Sequence, residues 1–276
     1  MTKKQIFLRI VIICLILDAI FIPFAVYSNT HLDMEYFTCR NNKIPEEFNG
    51  TVIAHLSDYH NHGGKYDDKL MDAIRDAAPD YIFITGDTAD RILTDIDKAE
   101  GFLERVSETA PCYLVWGNHE KGLKDEDFDR LESFAKNAGI TVLEDETVML
   151  EREGAQIALT GDYNCVSLPE ETGTDYFDIW LHHFPEDFED ITDMTEKAGN
   201  RMDLMFAGHA HGGLIRLPFI KGLVAPGQGL FPKYTSGVYT YKDSEMIVSR
   251  GLGNSSVTRR LFNPFHLVVC TLESEQ

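Results

Sequence analysis

Positive charge is scarce in this chain. Its 276 residues include 25 lysines and arginines against 45 aspartates and glutamates, which gives a formal net charge of −20. Proteins that hold nucleic acid bind its phosphates through basic patches, so we do not expect a nucleic-acid scaffold as a partner. A local basic pocket for a small anionic substrate remains compatible with this charge balance. The chain also lacks internal repeats and low-complexity tracts, and it is long enough for one large α/β domain behind a short N-terminal segment.

Paired cysteines are absent as well. The five cysteines, at positions 14, 39, 112, 165 and 270, form no CxxC pair and have no zinc-knuckle spacing. Cys112 and Cys270 lie in strand-like runs, where a free thiol behaves as a small hydrophobe. We therefore predict neither a disulfide framework nor a thiolate metal site.

One long apolar run stands at the N-terminus. From Ile6 to Tyr27 the chain is almost wholly apolar, and as a helix this run is long enough to cross a bilayer. Lys3, Lys4 and Arg9 lie at its start, so the positive-inside rule places the N-terminus in the cytoplasm. We then expect a single-pass protein of the cell membrane with its folded domain outside the cytoplasm.

A cleaved signal peptide is the alternative for this segment, with small residues near positions 26 to 28 and a secreted product. In either case the segment is separate from the fold. We assign residues 1–30 to the anchor or signal, 31–48 to a linker and 49–276 to the folded domain.

The folded domain alternates strand and helix patterns at first and then becomes strand-rich. Helical periodicity covers 66–77, 96–109, 125–138 and 186–198, and short apolar runs separate these segments. From residue 140 onward, further strand-like runs follow one another across short turns, which predicts largely antiparallel strands. We expect an α/β fold of two packed mixed β-sheets flanked by helices, an αββα sandwich.

Five apolar runs each end in a cluster of polar side chains. Ligands of open α/β sheets bind beyond the carboxyl ends of the strands, where loops from distant parts of the chain converge. Five such loops therefore predict one site. Its candidate residues are Asp58, His60, Asp87, Asn118, His119, His182 or His183, His209 and His211.

The chemistry of these side chains points to divalent metal ions. Carboxylate, amide and imidazole ligands without thiolates suit Mn, Fe, Zn, Co or Ni. Two such ions need one shared carboxylate, and Asp87 is the natural bridge. A bridging water, with its pKa lowered by both ions, becomes a hydroxide that attacks phosphorus while the ions neutralise phosphoryl charge.

The order of these motifs resembles that of the calcineurin-like metallophosphoesterases. Asp58 to His60 gives DxH, Asp87 follows glycine, Gly117 to Glu120 reads GNHE, and Gly208 to His211 reads GHAH. The match extends over about residues 50 to 272. The stretch GHAHGGLIRLPFIKGL resembles the bacterial membrane-associated branch of this superfamily.

The resemblance implies a role for each motif. One metal ion would be held by Asp58, His60, Asp87 and His211, and the other by Asp87, Asn118, His183 and His209. His119 would contact the scissile phosphate and donate a proton to the leaving oxygen. Asp90, three positions after the bridging aspartate, would orient His119 and raise its pKa.

The resemblance leaves one ligand position and several neighbouring residues to be assigned. His182 and His183 compete for that position, and His183 is favoured because the family pattern places the ligand two residues before a proline, as Pro185 is here. Successive strand residues face opposite ways, so only one of the two reaches the metals. Two histidines match no ligand position, and we expect His55 in a strand and His62 in a loop. Tyr59 and the segment 162–164 depart from the common family pattern. The candidate phosphate contacts are Arg216, Arg250, Arg259 and Arg260.

We therefore expect a hydrolase that cleaves a phosphomonoester, phosphodiester or pyrophosphate bond in a small phosphorylated molecule or a lipid-linked envelope precursor. The alternative is a non-catalytic metal-binding envelope module that has lost turnover. A metal hydrolase of esters or lactams is disfavoured because an HxHxDH cluster is missing.

The segment 212–234, rich in glycine, proline and aromatics, is expected to form an apolar rim near the membrane. Neither the natural substrate nor the oligomeric state can be read from the sequence.

Overall fold

The computed structural model describes residues 2–161, 176–217, 219–255 and 259–275. Its five α-helices are α1 (Lys3–Ser28), α2 (Lys65–Ala77), α3 (Ile96–Ser107), α4 (Asp125–Asn137) and α5 (Phe188–Lys197). The strands of the first half are β1 (Leu32–Asn41), β2 (Val52–Leu56), β3 (Tyr81–Ile84), β4 (Cys112–Leu114), β5 (Thr141–Val142), β6 (Glu146–Arg152) and β7 (Ala155–Gly161). Those of the second half are β8 (Asp178–Leu181), β9 (Leu204–Ala207), β10 (Arg216–Leu217), β11 (Lys221–Gly222), β12 (Val224–Ala225), β13 (Gly229–Leu230), β14 (Gly237–Tyr241), β15 (Ser244–Val248) and β16 (Phe265–Ser274).

The first sheet has the order β1-β16-β2-β3-β4-β5. Strands β2 to β5 run parallel to one another, as βαβ crossovers require, and the C-terminal strand β16 pairs antiparallel with β2. Strand β1 lies parallel to β16 in a register that begins at Leu32 opposite Phe265. The linker prediction for 31–48 is therefore wrong for Leu32–Asn41, because these residues supply the edge strand of the sheet. The other domain boundaries stay predictions.

The second sheet has the order β14-β15-β9-β8-β7-β6. Its inner pairings, β15 with β9, β9 with β8 and β8 with β7, are parallel, and only the two outer pairings are antiparallel. The expectation of largely antiparallel strands after residue 140 is therefore confirmed for the β6–β7 and β14–β15 pairs and wrong for the centre of the sheet. The run at Thr141–Val142 and the C-terminal strand β16 join the first sheet instead of the second.

The two sheets pack face to face, and helices cover their outer faces. Apolar side chains from both sheets, such as Ile53 and Phe83 from the first and Ile179 and Phe206 from the second, form the core between them. A second cluster joins the first sheet to α2, α3 and α4, and a third joins the second sheet to α5. The αββα sandwich of mixed sheets is confirmed.

The helices begin and end within two residues of their predicted limits. Helix α3 starts where Asp95 accepts a hydrogen bond from the amide of Lys98, an N-cap that satisfies one of the free amides of the first turn. Helix α5 follows a short 3₁₀ turn, Pro185–Asp187, because proline fits the first position of a helical turn. The predicted helix at 186–198 thus has a tighter first turn.

Helix α1 is the one helix among the described residues that is long and apolar enough to cross a membrane, with a mean hydropathy of 2.7. Its side chains are exposed along almost the whole length, and Ser28 at its end is fully buried in the domain. Cys14 lies exposed on this helix, whereas Cys39, Cys112 and Cys270 are buried free thiols. Cys165 and the segment 162–164 lie outside the described residues.

Removal of β1 tests whether it belongs to the fold. We expect a chain that begins at Ser28 to unfold cooperatively and a chain that begins at residue 42 to unfold at a clearly lower temperature. The second deletion uncovers the hydrogen-bonding edge of β16 and removes the buried Cys39 from the core between the sheets. Circular dichroism melting of the two chains makes this measurement, and equal midpoints would contradict it.

Candidate metal centre

The candidate site residues follow the carboxyl ends of five strands that lie side by side in the two sheets. Asp58 and His60 follow β2, Asp87 follows β3, and Asn118 follows β4 in the first sheet; His183 follows β8 and His209 follows β9 in the second. The sandwich therefore brings loops from both sheets to one edge, as the sequence predicts.

Close backbone approaches make this convergence possible. A Cβ atom at Gly117 would lie 2.2 Å from Asp87 Oδ1, and one at Gly208 would lie 2.6 Å from Asp58 Oδ2. Asp58, His60, Asp87, His209 and His211 all have positive φ angles, which non-glycine residues rarely adopt. The loops thus hold strained turns that aim these side chains at a common centre.

The first group of possible ligands consists of Asp58, His60 and His211. Nε2 of His211 lies 3.6 Å from Asp58 Oδ1, and Nε2 of His60 lies 3.9 Å from the same oxygen. The two imidazole Nε2 atoms are 3.3 Å apart. Three buried donor atoms that face one another in this way fit one divalent cation.

The second group consists of Asp87, His183 and His209. Nε2 of His183 lies 3.3 Å from Asp87 Oδ2 and 3.2 Å from Nδ1 of His209. Asn118 joins this group through its Oδ1 atom, which lies 3.2 Å from the same His183 nitrogen. The predicted ligands of the second metal are therefore neighbours in space.

Asp87 lies between the two groups. Its Oδ1 atom accepts a hydrogen bond of 2.8 Å from the backbone amide of His119, which fixes the carboxylate plane. Its Oδ2 atom lies 3.3 Å from Nε2 of His183 in one group and 3.7 Å from Nε2 of His60 in the other. A single oxygen thus faces both groups, as a shared ligand must.

Hydrogen bonds on the far side of the ring orient His183. Its Nδ1 atom lies 2.6 Å from the carbonyl oxygen of Thr85, so Nδ1 donates to that carbonyl and Nε2 is the nitrogen that faces the centre. His182 points elsewhere, with Nε2 at 3.0 Å from Asp187 Oδ2. The structure therefore places His183 in the cluster and His182 outside it, as alternation along a strand requires.

The electrostatics of the cluster favour a cation. Burial raises the pKa of Asp58 to about 6 and lowers the pKa of His60 to about 4. Burial also opposes ionisation of Asp87, but the adjacent His183 holds the pKa of that carboxyl well below its usual range. Conversely, Asp87 outweighs the effect of burial on His183 and raises its pKa to about 10. The carboxylate thus requires a positive neighbour, which a divalent ion supplies.

His119 lies at the rim of the first group and contacts His60 edge to face, with ring centroids 4.5 Å apart. Its Nδ1 atom accepts a hydrogen bond from the backbone amide of Arg91 at 3.1 Å. The predicted partner, Asp90, lies 3.8 Å from the same nitrogen, too far for a hydrogen bond. The backbone of Arg91, and not the Asp90 carboxylate, therefore sets the tautomer of His119.

Asp90 instead shapes its own loop. Its Oδ1 atom accepts hydrogen bonds from the amides of Ile92 and Leu93, at 2.7 and 3.0 Å. Its effect on His119 is electrostatic: burial lowers the pKa of His119, while Asp87 and Asp90 oppose that decrease. The expected net rise in this pKa is therefore not found.

Glu120 had no predicted role, although it belongs to the GNHE motif. Its buried carboxylate accepts hydrogen bonds from the backbone amides of Asp87, Ala89 and Gly117, each between 2.8 and 2.9 Å. It thereby ties the loop after β3 to the loop after β4. The sequence signal for this role was a charged residue within a tight turn, because a buried carboxylate needs several hydrogen-bond donors.

Arg260 is the second residue whose role the sequence did not reveal. Among the four candidate arginines it alone is fully buried, at 1% exposure, and its Nη2 atom lies 3.2 Å from Nδ1 of His211. Arg216 donates to the carbonyl of Gly212, and Arg250 pairs with Asp33 at 3.0 Å. Arg259 is exposed and lines the cavity beside the candidate ligands.

That cavity, of about 480 Å³, opens beside His60 and Asp90. Two cationic residues, Lys98 and Arg259, contribute to its wall together with Asn254. His62 lines it as well and stacks on Tyr66, with ring centroids 4.4 Å apart. Two carboxylates, Asp90 and Asp95, line the cavity too, and Asp95 pairs with Lys98 at 3.1 Å. The cavity therefore adjoins the ligand cluster, and its wall carries charges of both signs.

The remaining residues singled out in the sequence are structural. His55 is buried between the sheets, with Nε2 at 2.8 Å from the hydroxyl of Thr85. Tyr59 stacks on Phe102 and donates a hydrogen bond to Asp67, so it packs against α2 and α3 and does not form a wall of the site.

Buried histidines and aspartates at the carboxyl edge of an αββα sandwich define a metal-dependent hydrolase. The family model of the calcineurin-like phosphoesterases matches residues 51–213, more than half of the chain. The chain belongs to this family and is a hydrolase of phosphoester bonds.

Curated relatives agree with this assignment. The chain is 30% identical to an uncharacterized metallophosphoesterase of Bacillus subtilis, YkoQ, over 76% of this chain and 78% of that protein. It is 28% identical to a second one from the same organism, YkuE, over 91% of this chain and 89% of the relative. It is also 28% identical to the phosphodiesterase YaeI of Escherichia coli, with 64% of each chain covered.

Glu120 provides a test of how the site is built. We expect Glu120→Ala to lower the free energy of unfolding by about 3 kcal/mol, because three buried amides lose their acceptor. Glu120→Gln is expected to cost less, since one amide oxygen remains as an acceptor. Chemical denaturation of both variants measures these changes, and an unchanged unfolding midpoint in the alanine variant would show that the loops do not depend on this carboxylate.

Proposed function

We propose that this phosphoesterase uses two divalent cations to hydrolyse a phosphomonoester, phosphodiester or pyrophosphate bond, in a substrate drawn from lipid or envelope precursors. The observation that carries the two-ion proposal is the position of Asp87 Oδ2, which faces His60 in one ligand group and His183 in the other. One carboxylate oxygen between two sets of buried ligands is the arrangement that a pair of ions requires.

Each ion has a ligand set in this proposal. Asp58, His60, Asp87 and His211 would hold one ion, and Asp87, Asn118, His183 and His209 the other. When bound, such a pair lowers the pKa of a water molecule and neutralises charge on phosphoryl oxygens. Oxygen and imidazole ligands suit Mn, Fe, Zn, Co or Ni, and the ligand set does not distinguish among these metals.

His119 is the proposed general acid. Because its Nδ1 atom accepts the amide hydrogen of Arg91, the neutral ring carries its proton on Nε2. A hydrogen bond from this Nε2–H to the leaving oxygen would stabilise the negative charge that develops as the P–O bond breaks, and full proton transfer would require the ring to enter the step as an imidazolium. A positioned acid of this kind would be superfluous in a non-catalytic metal-binding module, so its presence supports turnover.

The cavity beside the cluster supports an anionic substrate larger than phosphate alone. Its wall includes Arg259, whose guanidinium can bind phosphate oxygens in pairs, and Lys98, which is paired with Asp95. The part of the substrate beyond the scissile bond would occupy this space.

We further propose that α1 is retained as a membrane anchor and not removed as a signal peptide. The basic residues Lys3, Lys4 and Arg9 at its start favour a cytoplasmic N-terminus and an extracytoplasmic domain. Ser28 supports retention, because its buried hydroxyl accepts a hydrogen bond from the amide of Asn263 at 3.1 Å. A cut after Ser28 would remove this contact.

Chromogenic phosphomonoester and phosphodiester substrates test the activity and its dependence on His119. We expect turnover that requires added Mn and is lost on chelation, and a decrease in kcat of about 10²- to 10⁴-fold in His119→Ala, the usual contribution of a general acid. Metal content should stay unchanged in this variant. A stable, metal-loaded chain that hydrolyses neither substrate would favour the non-catalytic module.

The two adjacent histidines provide a matched pair of variants for the metal site. We expect His183→Ala to lower the metal bound per chain, because this imidazole lies 3.3 Å from the central Asp87 oxygen. His182→Ala should keep full metal content, because His182 bonds to Asp187 outside the cluster. Elemental analysis of the purified proteins makes the comparison, and metal loss in His182→Ala alone would reverse the assignment.

A further inference from the structure

The end of the anchor helix is joined directly to the wall of the active site. Asn29 donates to the carbonyl of Arg260 at 2.8 Å, and its Oδ1 atom accepts from Nδ2 of Asn254 at 2.8 Å and from the amide of Arg260 at 3.2 Å. Asn254 lines the cavity, and Arg260 contacts His211 of the ligand cluster. One asparagine thus links the helix to both.

Almost no chain separates the apolar helix from the domain. Tyr27 is the last residue of the apolar run, its ring stacks on His31 at 4.3 Å, and β1 begins at Leu32. The helix of 26 residues would be about 39 Å long, whereas the hydrocarbon core of a bilayer is about 30 Å thick. A flexible tether of the kind predicted for 31–48 is therefore replaced by a rigid junction.

The domain touches the helix with an aromatic side chain at this junction. Phe262 packs against Phe24 and Phe21, with ring centroids 4.6 and 6.1 Å away. Phe24 precedes the buried Ser28 by one turn of helix, about 6 Å of rise. If the helix spans a bilayer, Phe262 lies at the boundary between the acyl chains and the headgroups.

Exposed apolar side chains continue from this point. The backbone of Leu261, next to Phe262, is hydrogen-bonded to Leu214 and Arg216, where the β10–β11 ladder starts. This ladder ends in a turn with Phe219 and Ile220, and the neighbouring β12–β13 ladder ends beside Leu230 and Phe231. All four side chains are exposed, at 106, 48, 71 and 66% respectively. Phe219 and Ile220 thus lie at a turn, and Leu230 and Phe231 lie at the open end of the next ladder, where the amide of Phe231 donates to the carbonyl of Leu223 at 2.9 Å. Large exposed apolar residues within one short segment mark an interaction surface.

We propose that the catalytic domain rests on the bilayer through a docking surface formed by Phe219, Ile220, Leu230 and Phe231. The hydrogen bonds of the Asn29 side chain to Asn254 and Arg260, which we call the Asn29 clamp, fix the cavity relative to α1. A domain docked in this way would present the scissile phosphate near the lipid–water interface. The occupant of the surface is the bilayer that the anchor already spans, because Phe262 connects the two. This inference rests on the proposed retention of α1 and names amphipathic phosphates as the substrate class of the same site.

The low number of tryptophans makes the proposal measurable. Trp116 and Trp180 are both buried, at 1 and 2% exposure, so lipid-borne quenchers should not reach them in the wild-type chain. The full-length protein is reconstituted in phosphatidylcholine vesicles with or without brominated acyl chains. Tryptophan is introduced at a docking position, as Phe219→Trp or Phe231→Trp, or at Glu151 in β6, an exposed control site remote from the carboxyl edge of the sheets.

We expect brominated lipid to quench Phe219→Trp, Phe231→Trp or both, and to leave Glu151→Trp and the wild type unaffected. Two docking positions are used so that the test still gives a result if one variant folds poorly. Absence of quenching at both, or equal quenching at position 151, would overturn the proposal. The measurement reports position and not turnover, so an inactive enzyme would refute the proposed function without affecting this result.

A second experiment tests whether Asn29 orients the domain. Asn29→Ala in the Phe231→Trp chain removes the side-chain bonds to Asn254 and Arg260, and we expect weaker quenching because the domain is freed to tilt away. Asn49→Ala, an exposed asparagine that bonds to Glu46 and Ser274, is the matched control and should leave quenching unchanged. Equal quenching in Asn29→Ala and in its parent would show that the junction does not orient the domain.

Discussion

Buried negative charge at one edge of the sandwich is the constraint on which the rest of this structure depends. Asp58 and Asp87 are almost wholly removed from water, and isolated carboxylates in that position are strongly unfavourable. His183 and the buried Arg260 offset part of this charge, but burial keeps the other imidazoles of the two ligand groups neutral, and neutral imidazoles do not cancel the rest. Divalent cations do, and they also account for donor atoms that face one another without a hydrogen-bond network that satisfies them all.

The loops around the cluster serve this arrangement. Glu120 holds the loops after β3 and β4 together through three backbone amides, and Gly117 and Gly208 allow carboxylate oxygens to approach the backbone. The carbonyl of Thr85 and the amide of Arg91 select the tautomers of His183 and His119. Backbone groups of rigid turns thus orient the side chains, which limits the reorganisation needed when substrate binds.

The junction between α1 and the domain connects the position of the helix with the chemistry of the site. Asn29 touches the same segment that supplies Arg260 to the metal cluster and Asn254 to the cavity. If α1 spans a bilayer as proposed, the orientation of the domain relative to the membrane and the geometry of the site are properties of one packed unit. An acidic surface gives little electrostatic attraction to anionic lipids, so apolar contacts are the more suitable means of docking.

The sequence by itself determined which atoms are available and in what order. Apolar runs of four or five residues that end in aspartate, asparagine or histidine specify strands with polar carboxyl ends, and the thiolate-free ligand set predicts divalent metal ions without distinguishing among them. The helices were predictable as well, because their periodicity is local. Local patterns did not reveal that Leu32–Asn41 pairs with the C-terminal strand, since β pairing joins residues more than 200 positions apart.

Only the tertiary structure decided which of several neighbouring groups takes each role in the site. It replaced Asp90 by the Arg91 amide as the partner of His119, with distances of 3.8 and 3.1 Å to Nδ1 respectively, and it brought Arg260 against His211. These outcomes depend on small differences in distance between atoms that the chain brings together from separate segments. Such distances are set by the packing of two sheets against each other, and residue type and spacing along the chain carry no information about them.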